Sequence, residues 1–151
     1  MSLEQFLHRK VNELLINLKS KHIKVQEIHG KGSYLRSKWE KTFANHLNDS
    51  EKVKIYLNSI GGFLWHLFSF KKVSFLQGEE ADLVFNNEPK GTCYIFYQHI
   101  DLVLLIENAA HICADDFKDE QDVYIVDEHF SWTYVVTHEK GELGPYFSRK
   151  E

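Results

Sequence analysis

Two histidines and one glutamate are the residues of this sequence best suited to chemistry. His138 and Glu139 are adjacent at the end of a segment, 131–138, whose alternation predicts a β-strand. His66 lies in a second apolar segment, 63–70, that also reads as a strand. If the two strands pair, His66, His138 and Glu139 form a two-histidine, one-carboxylate set. Such a set can hold a metal ion with open positions or transfer a proton.

A structural interpretation of the same residues stays open. Neighbouring residues of a regular strand point to opposite sides, so Glu139 joins His138 only if the strand ends or bulges there. A histidine on an apolar face also needs a hydrogen-bond partner, and a bond that fixes the turn into Gly141 would be enough. The sequence therefore offers His66, His138 and Glu139 as candidate catalytic residues, and it assigns no metal and no cofactor.

The common enzyme signatures are missing from the sequence. It contains no glycine-rich phosphate loop, no HExxH or GxSxG motif and no paired cysteines. Cys93 shares a predicted strand face with His99, but such a thiol is nucleophilic only if its thiolate is stabilised, and a packed core thiol is the simpler interpretation. Cys93 and Cys113 are not spaced as metal ligands and suit a reducing compartment.

Acidic residues are concentrated in the second half of the chain. Residues 1–72 contain 13 Lys and Arg against 6 Asp and Glu, whereas residues 73–151 contain 5 against 16. The two halves either present faces of opposite potential or neutralise each other where they pack. The N-terminal basic residues alternate with acids and form no dense run, which makes nucleic acid an improbable partner.

A cluster of acids after residue 114 is the predicted binding surface. Held on a rigid scaffold, like charges speed association with a basic protein, whereas the alternative is a solvated loop. The candidate binding residues are Asp115, Asp116, Asp119, Glu120 and Trp132.

The elements that must position these residues follow from periodicity. Apolar residues at spacings of three and four predict a helix over 2–21, and Leu35, Trp39 and Phe43 mark a second helix that carries Trp39 inward. Alternation predicts a short strand at 23–28, for which an edge position fits. The remaining predicted elements are a helix at 79–86 and strands at 63–70, 92–99, 102–107, 122–127 and 131–138.

Two connections fix the predicted topology. The link from 128 to 130 is short enough to force an antiparallel hairpin between the last two strands. The run 102–106 could also begin a helix through Phe117, but we favour a strand followed by a helical turn from Asn108. The sequence thus predicts an α+β fold, with N-terminal helices packed on a largely antiparallel sheet of about five strands.

Size and composition predict one globular domain over residues 1–151. The chain is 43% hydrophobic and 26% charged, with only 8 Gly and 2 Pro, which excludes disordered and collagenous classes. No apolar run approaches the roughly 20 residues of a bilayer span, and residues 1–10 lack the apolar core of a signal peptide. We therefore expect a soluble, cytoplasmic protein.

Three segments carry a resemblance. They are Trp65-His66-Leu67-Phe68-Ser69, Asp122-Val123-Tyr124-Ile125-Val126-Asp127, and Trp132-Thr133-Tyr134-Val135-Val136-Thr137-His138-Glu139 with Gly144-Pro145-Tyr146-Phe147. Together they resemble a small family of bacterial proteins, a domain of unknown function, over most of the chain. The resemblance implies a bacterial, cytosolic origin. It also implies that Trp132, Thr137, His138, Glu139, Gly144 and Pro145 belong to a recurring pattern, and it attaches no activity to them.

Two functional hypotheses follow, and a purely structural or stress-related protein with no discrete site stays open as a third. The first is a non-enzymatic protein-binding module whose acidic face neutralises a basic partner, in the manner of an immunity protein. The alternative is a small metal-dependent or acid/base enzyme centred on His66 and His138. We expect no membrane partner under either hypothesis, and the sequence does not determine the oligomeric state.

Overall fold

A seven-stranded antiparallel sheet with helices on both faces is the architecture of the computed structural model, which describes residues 1–55 and 62–150. The helices are α1 (Leu3–Ser20), α2 (Gly32–Phe43), α3 (Asp49–Lys54), α4 (His66–Ser69) and α5 (Glu79–Asn87), with a 3-10 helix at Ala114–Phe117. The strands are β1 (Gln26–His29), β2 (Leu76–Gln77), β3 (Cys93–Tyr97), β4 (Leu102–Ile106), β5 (Val123–Asp127), β6 (Trp132–Val136) and β7 (Tyr146–Arg149). The predicted α+β class and antiparallel sheet are confirmed.

The sheet has more strands than the sequence predicted. Its order is β1-β4-β3-β5-β6-β7-β2, with every neighbouring pair antiparallel. The prediction of about five strands was wrong because β2 and β7 are two and four residues long, too short for alternation to register. Tyr146 and Phe147 were not predicted to lie in a strand, but both are buried in β7.

Helix α1 begins and packs as its sequence predicts. The Ser2 hydroxyl accepts a hydrogen bond from the Gln5 amide at 3.1 Å, and the Gln5 side chain accepts one from the Ser2 amide at 2.9 Å. This capping box satisfies two amides that the first turn leaves without helical partners. The buried stripe of the helix consists of Leu7, Val11, Leu14 and Leu18.

Alternate residues of the sheet supply two separate cores. In β3, Ile95 and Tyr97 face the core beneath α1 and α5, whereas Phe96 faces the core beneath α2 and α4. Trp39 is fully buried in the second core, as predicted, and its indole N–H donates to Thr133 Oγ1 at 2.9 Å. Both faces of the central strands are therefore covered, which is why β3 to β6 are almost wholly apolar.

The predicted strand at 63–70 is wrong, because the chain forms a turn and the short helix α4 there. Leu64, Leu67 and Phe68 are buried at helical spacing, while His66 and Ser69 are partly exposed. Odd and even positions of this run are both apolar, so its pattern fits a strand buried on both faces as well as it fits a helix. The predicted pairing of His66 with His138 relied on two neighbouring strands, but His66 lies in a helix.

Two predicted strands at the β1 side of the sheet are confirmed, but the predicted position of the helical turn is wrong. Residues 102–106 form strand β4, not the start of a helix, and the helical turn after it begins at Ala114, not at Asn108. Within the described residues, β1 is an edge strand that pairs with β4. None of the helices in the described ranges is long and apolar enough to cross a membrane.

Candidate functional site

Three elements converge at one end of the sheet and bring the candidate residues together. Val123 at the start of β5 pairs with Val136 at the end of β6, so Asp122 and His138 both lie just outside the same hairpin end. Helix α4 covers this end and contributes Trp65, its N-cap, and His66, its first residue. The site is therefore held by two paired strands and by a helix of the second core.

Asp122 accepts the hydrogen bonds that hold Trp65 and His138 together. Its side chain is only 7% exposed, and its Oδ1 accepts hydrogen bonds from the Trp65 indole at 2.9 Å and the His138 backbone amide at 3.2 Å. The His138 Nδ1 lies 3.0 Å from both carboxylate oxygens. The backbone of Asp122 has φ 53°, a left-handed conformation that Asp and Asn tolerate better than most residues. A buried carboxylate with these partners fixes the orientation of the imidazole.

The His138 ring has a fixed orientation. Because its Nδ1 faces the Asp122 carboxylate, the neutral imidazole carries its proton on Nδ1 and its lone pair on Nε2. The side chain is 35% exposed, and its Nε2 lies 4.0 Å from Glu139 Oε1. The Nε2 side of the ring thus lies next to a second carboxylate.

His66 lies beside His138 in an aromatic cluster. Both imidazoles contact the Trp65 ring, with centroid distances of 4.4 Å for His66 and 5.8 Å for His138. They also contact the Phe63 ring at 5.9 and 5.1 Å, and His99 packs on Phe63 at 5.2 Å. The structure thus places the two predicted histidines on common neighbours, although His66 comes from a helix and not from a strand.

The environment of His66 disfavours its charged form. Burial lowers the pKa of His66, and the neighbouring His138 lowers it further, against the opposing effects of Glu139 and Asp122. Its Nδ1 lies 2.8 Å from Ser69 Oγ, and the same hydroxyl lies 3.3 Å from the His66 carbonyl.

The turn after β6 has its own hydrogen bonds. Thr137 Oγ1 donates to the Leu143 carbonyl and accepts from the Glu139 amide at 3.2 Å. The turn-fixing role that the sequence also allowed for His138 thus falls to Thr137. Glu139 follows the last residue of β6 by three positions, so the opposed facing of a regular strand does not apply to it.

Metal binding and thiol chemistry have no support in the geometry. Within residues 1–55 and 62–150, no three His, Cys, Asp or Glu side chains are grouped so as to hold a metal ion. Cys93 is buried in the first core, and burial raises the pKa of its thiol to about 12. A thiol with that pKa is protonated at neutral pH and does not act as a nucleophile.

Several acids of the predicted binding surface are engaged within the protein. Asp116 accepts hydrogen bonds from Lys21 Nζ at 2.7 Å and from Asn17 Nδ2 and the Cys113 amide, each at 2.9 Å. Glu120 is buried and accepts from the Tyr97 hydroxyl at 2.6 Å. The basic and acidic halves of the chain therefore neutralise each other in part where α1 meets the 3-10 helix.

The other members of that surface differ in accessibility. Asp115 and Asp119 are exposed, and Asp115 Oδ1 lies 3.5 Å from Lys118 Nζ. Trp132 is 2% exposed inside the first core, where its ring stacks on Phe147 at 5.7 Å. Only the two exposed aspartates of the five predicted residues are thus free to meet a partner without rearrangement.

Cavities lie elsewhere on the molecule. One of about 490 Å³ is bounded by the chain before β1 and by residues around β4, among them Ile23, Lys24, Leu105 and His111. Another of about 220 Å³ lies between α1 and the 3-10 helix. Neither cavity is lined by His66 or His138. We refer to these two histidines at the end of the sheet, together with Phe63, Trp65, Phe70 and Glu139, as the histidine shelf.

Sequence reasoning missed the role of Asp122. It appeared in the sequence only as one acid of an acidic stretch, whereas the structure makes it the partner of His138 and Trp65. The signal was present in the predicted hairpin, since a three-residue connection sets residues 122 and 138 at the same end of two paired strands.

The family model described as "Domain of unknown function (DUF4275)" matches residues 12–147. The match spans both cores and the end of the sheet that carries His66, Asp122 and His138, and the chain belongs to this family. No curated protein matches the chain, and no solved structure does.

Proposed function

We propose that this DUF4275 protein is a small acid/base enzyme in which His138 transfers a proton to or from a bound substrate. The observation that carries the proposal is the His138–Asp122 pair. A buried carboxylate holds Nδ1 at 3.0 Å and leaves Nε2, on a partly exposed ring, for the substrate. Histidine is the residue most often used for this task, and the orienting carboxylate defines its tautomer.

The backbone conformation and the burial of Asp122 also support this function. Asp122 is buried in a left-handed conformation, and a strained residue that its surroundings keep in place is typical of active sites. Holding an imidazole at the end of the sheet for stability alone does not require a buried acid that accepts three hydrogen bonds. The proposal assigns His138 as the proton-transfer residue and Asp122 as its positioning residue.

The test uses 4-nitrophenyl acetate, an ester whose hydrolysis an accessible neutral imidazole accelerates. We expect the wild-type second-order rate constant at pH 7.5 to exceed that of His138→Gln by about tenfold or more. His129→Gln is the matched control, because His129 is a surface histidine whose side chain is 80% exposed. A folded His138→Gln variant that hydrolyses the ester at the wild-type rate would overturn the proposal.

A second candidate function is the binding of a basic protein in the cytoplasm. It is favoured by Asp115 and Asp119, which remain exposed beside the cavity of about 220 Å³ between α1 and the 3-10 helix. Two free cysteines suit a reducing compartment. Capture of a partner whose binding is lost on changing both aspartates to Asn, and which weakens as salt rises, would favour this function over the first.

A further inference from the structure

Within the described residues, the carboxylate of Glu139 at the histidine shelf forms no ion pair with a lysine or arginine. Its side chain is 50% exposed, and its Oε1 lies 4.0 Å from His138 Nε2. Lys140, the next residue, lines a different cavity together with Asp82 and Tyr134. Glu139 therefore places a negative charge at the shelf that the protein itself does not neutralise with a fixed cation.

Phe63 and Phe70 at the shelf are among the rings of the described residues that have no lysine or arginine of the protein over them. Phe6, Phe85, Phe130 and Phe147 each have a lysine or arginine of the protein over the ring. Phe70 is 47% exposed and packs against His66 at 5.6 Å. Aromatic faces attract organic cations, and the attraction increases beside a carboxylate.

From these two observations we infer that the shelf binds an organic cation that carries a primary ammonium group. The ammonium contacts the Glu139 carboxylate, and the apolar part of the ligand packs on Phe63 and Phe70. Anionic ligands are disfavoured, because Asp122 and Glu139 both contribute negative charge at this end of the sheet.

The proton step rests on the proposed function, whereas the binding step does not. With the ammonium at Glu139, the Nε2 lone pair of His138 accepts one of its protons. The products are a neutral amine and an imidazolium whose Nδ1 faces Asp122 and whose Nε2 faces Glu139. No oxidant or further reactant is needed, and the neutral amine is the form that can act as a nucleophile.

The experiment compares two probes of similar shape and opposite charge. 2-Phenylethylamine is a cation at pH 7, and 3-phenylpropanoate is an anion. Each is titrated into the full chain while the imidazole signals of His66 and His138 are followed by NMR. We expect saturable shifts with 2-phenylethylamine, with a Kd in the range of about 1 mM, and none with 3-phenylpropanoate.

Variants locate the site and separate the two proposals. Glu139→Gln and Phe70→Ala should each weaken binding of the amine, the first by about threefold to fivefold. Glu142→Gln is the matched control, since Glu142 lies in the same turn and only its backbone carbonyl is used, by Gln77. His138→Gln should keep its affinity for the amine within about threefold while losing ester hydrolysis.

Three outcomes would overturn the inference. They are equal binding of the anion, unchanged affinity of Glu139→Gln for the amine, and the absence of any shift at His66 and His138 at saturating probe. Loss of ester hydrolysis together with retained amine binding would support both proposals, whereas amine binding by a chain in which His138 is inert would leave only the binding inference standing.

Discussion

The indole nitrogen of Trp65 and the Nδ1 atom of His138 share one acceptor, Oδ1 of Asp122, at 2.9 and 3.0 Å. One donor is the N-cap residue of α4 and the other follows the end of β6, so the carboxylate joins two residues 73 positions apart in the chain. The same atom thus secures the helix and orients the base. Changes at Asp122 should therefore affect both stability and proton transfer.

Asp122→Asn should separate the orientation of the base from its presence. Asn tolerates the left-handed backbone of this position, so the variant should fold. Its neutral amide no longer favours a proton on His138 Nδ1, and we expect ester hydrolysis to fall about tenfold. Nitrogen-15 NMR of the imidazole should show the proton moving from Nδ1 towards Nε2.

Asp127→Asn is the control for that change. Asp127 accepts hydrogen bonds from the Ser131 and Trp132 amides at the other end of the same hairpin. Its substitution should lower stability and leave the His138 tautomer as in the wild type. An Asp122→Asn protein with the wild-type tautomer and rate would show that the carboxylate does not position the base.

The pH dependence of stability should report on His66. Its folded-state pKa is lowered from the ordinary value of 6.5, chiefly by burial, so the folded state binds protons less readily than the unfolded state. The resulting stabilisation is fully present above pH 6.5 and is lost as the pH falls through the folded-state pKa. Urea denaturation at intervals from pH 7.5 to pH 5 should show this decline.

His66→Gln should reduce the slope of that decline, because Gln has no proton to gain. His129→Gln, at an exposed position, should leave the slope unchanged. If His66→Gln and the wild type lose the same free energy of unfolding over this pH range, the decline belongs to another group.

Asp116 and Asp115 are neighbours with different expected effects on stability. Asp116→Asn should lower the free energy of unfolding by about 1 to 3 kcal/mol, because Asp116 accepts a charged hydrogen bond from Lys21 and others from Asn17 and Cys113. Asp115→Asn should change it by less than about 0.5 kcal/mol, because Asp115 is exposed. Urea denaturation at pH 7 measures both.

The difference should shrink in acid. Burial acts to raise the pKa of Asp116, but the hydrogen bonds from Lys21 and the Cys113 amide outweigh it, and the pKa is lowered below its ordinary value of 3.8. The stabilisation is therefore present above pH 3.8 and is lost as the pH falls through the folded-state pKa. If Asp116→Asn and Asp115→Asn lose the same free energy of unfolding at neutral pH, the contact with Lys21 does not stabilise the protein.

Trp39 should be among the costliest residues to truncate. Trp39→Ala should lower the free energy of unfolding by about 3 to 5 kcal/mol, because the ring is fully buried. Trp39→Phe should cost less in packing but still leave Thr133 Oγ1 without its indole donor. A double-mutant cycle with Thr133→Val measures the hydrogen bond itself, and a loss below about 1 kcal/mol for Trp39→Ala would contradict its place in the core.

The helices and the hairpin could be predicted because their patterns are long or their connections short. The α1 stripe repeats over 18 residues, and the three residues between β5 and β6 permit little except an antiparallel return. Strand β2 has two residues, and α4 consists of four residues inside an apolar run, so local pattern carried little information about either.

The candidate site was partly predictable for a related reason. His138 and Glu139 stood out by residue type, and His66 by its apolar surroundings, but their common neighbours Phe63 and Trp65 depend on how α4 packs against the sheet. The acids around Asp116 were predicted less well. Composition predicts an exposed charged surface there, whereas Asp116 accepts a hydrogen bond from Lys21, the C-cap residue of α1, which lies 95 positions earlier in the chain.

That long separation between Lys21 and Asp116 bears on synthesis of the chain. A ribosome releases α1 first, whereas strands β3 to β6 and the 3-10 helix, which share its core, are complete only when most of the protein has been made. Until then Leu7, Val11, Leu14 and Leu18 face water or a chaperone. Chains interrupted before residue 114 should therefore leave apolar surface of α1 exposed and be degraded by cellular proteases. Full-length chains bury this surface and should not be degraded.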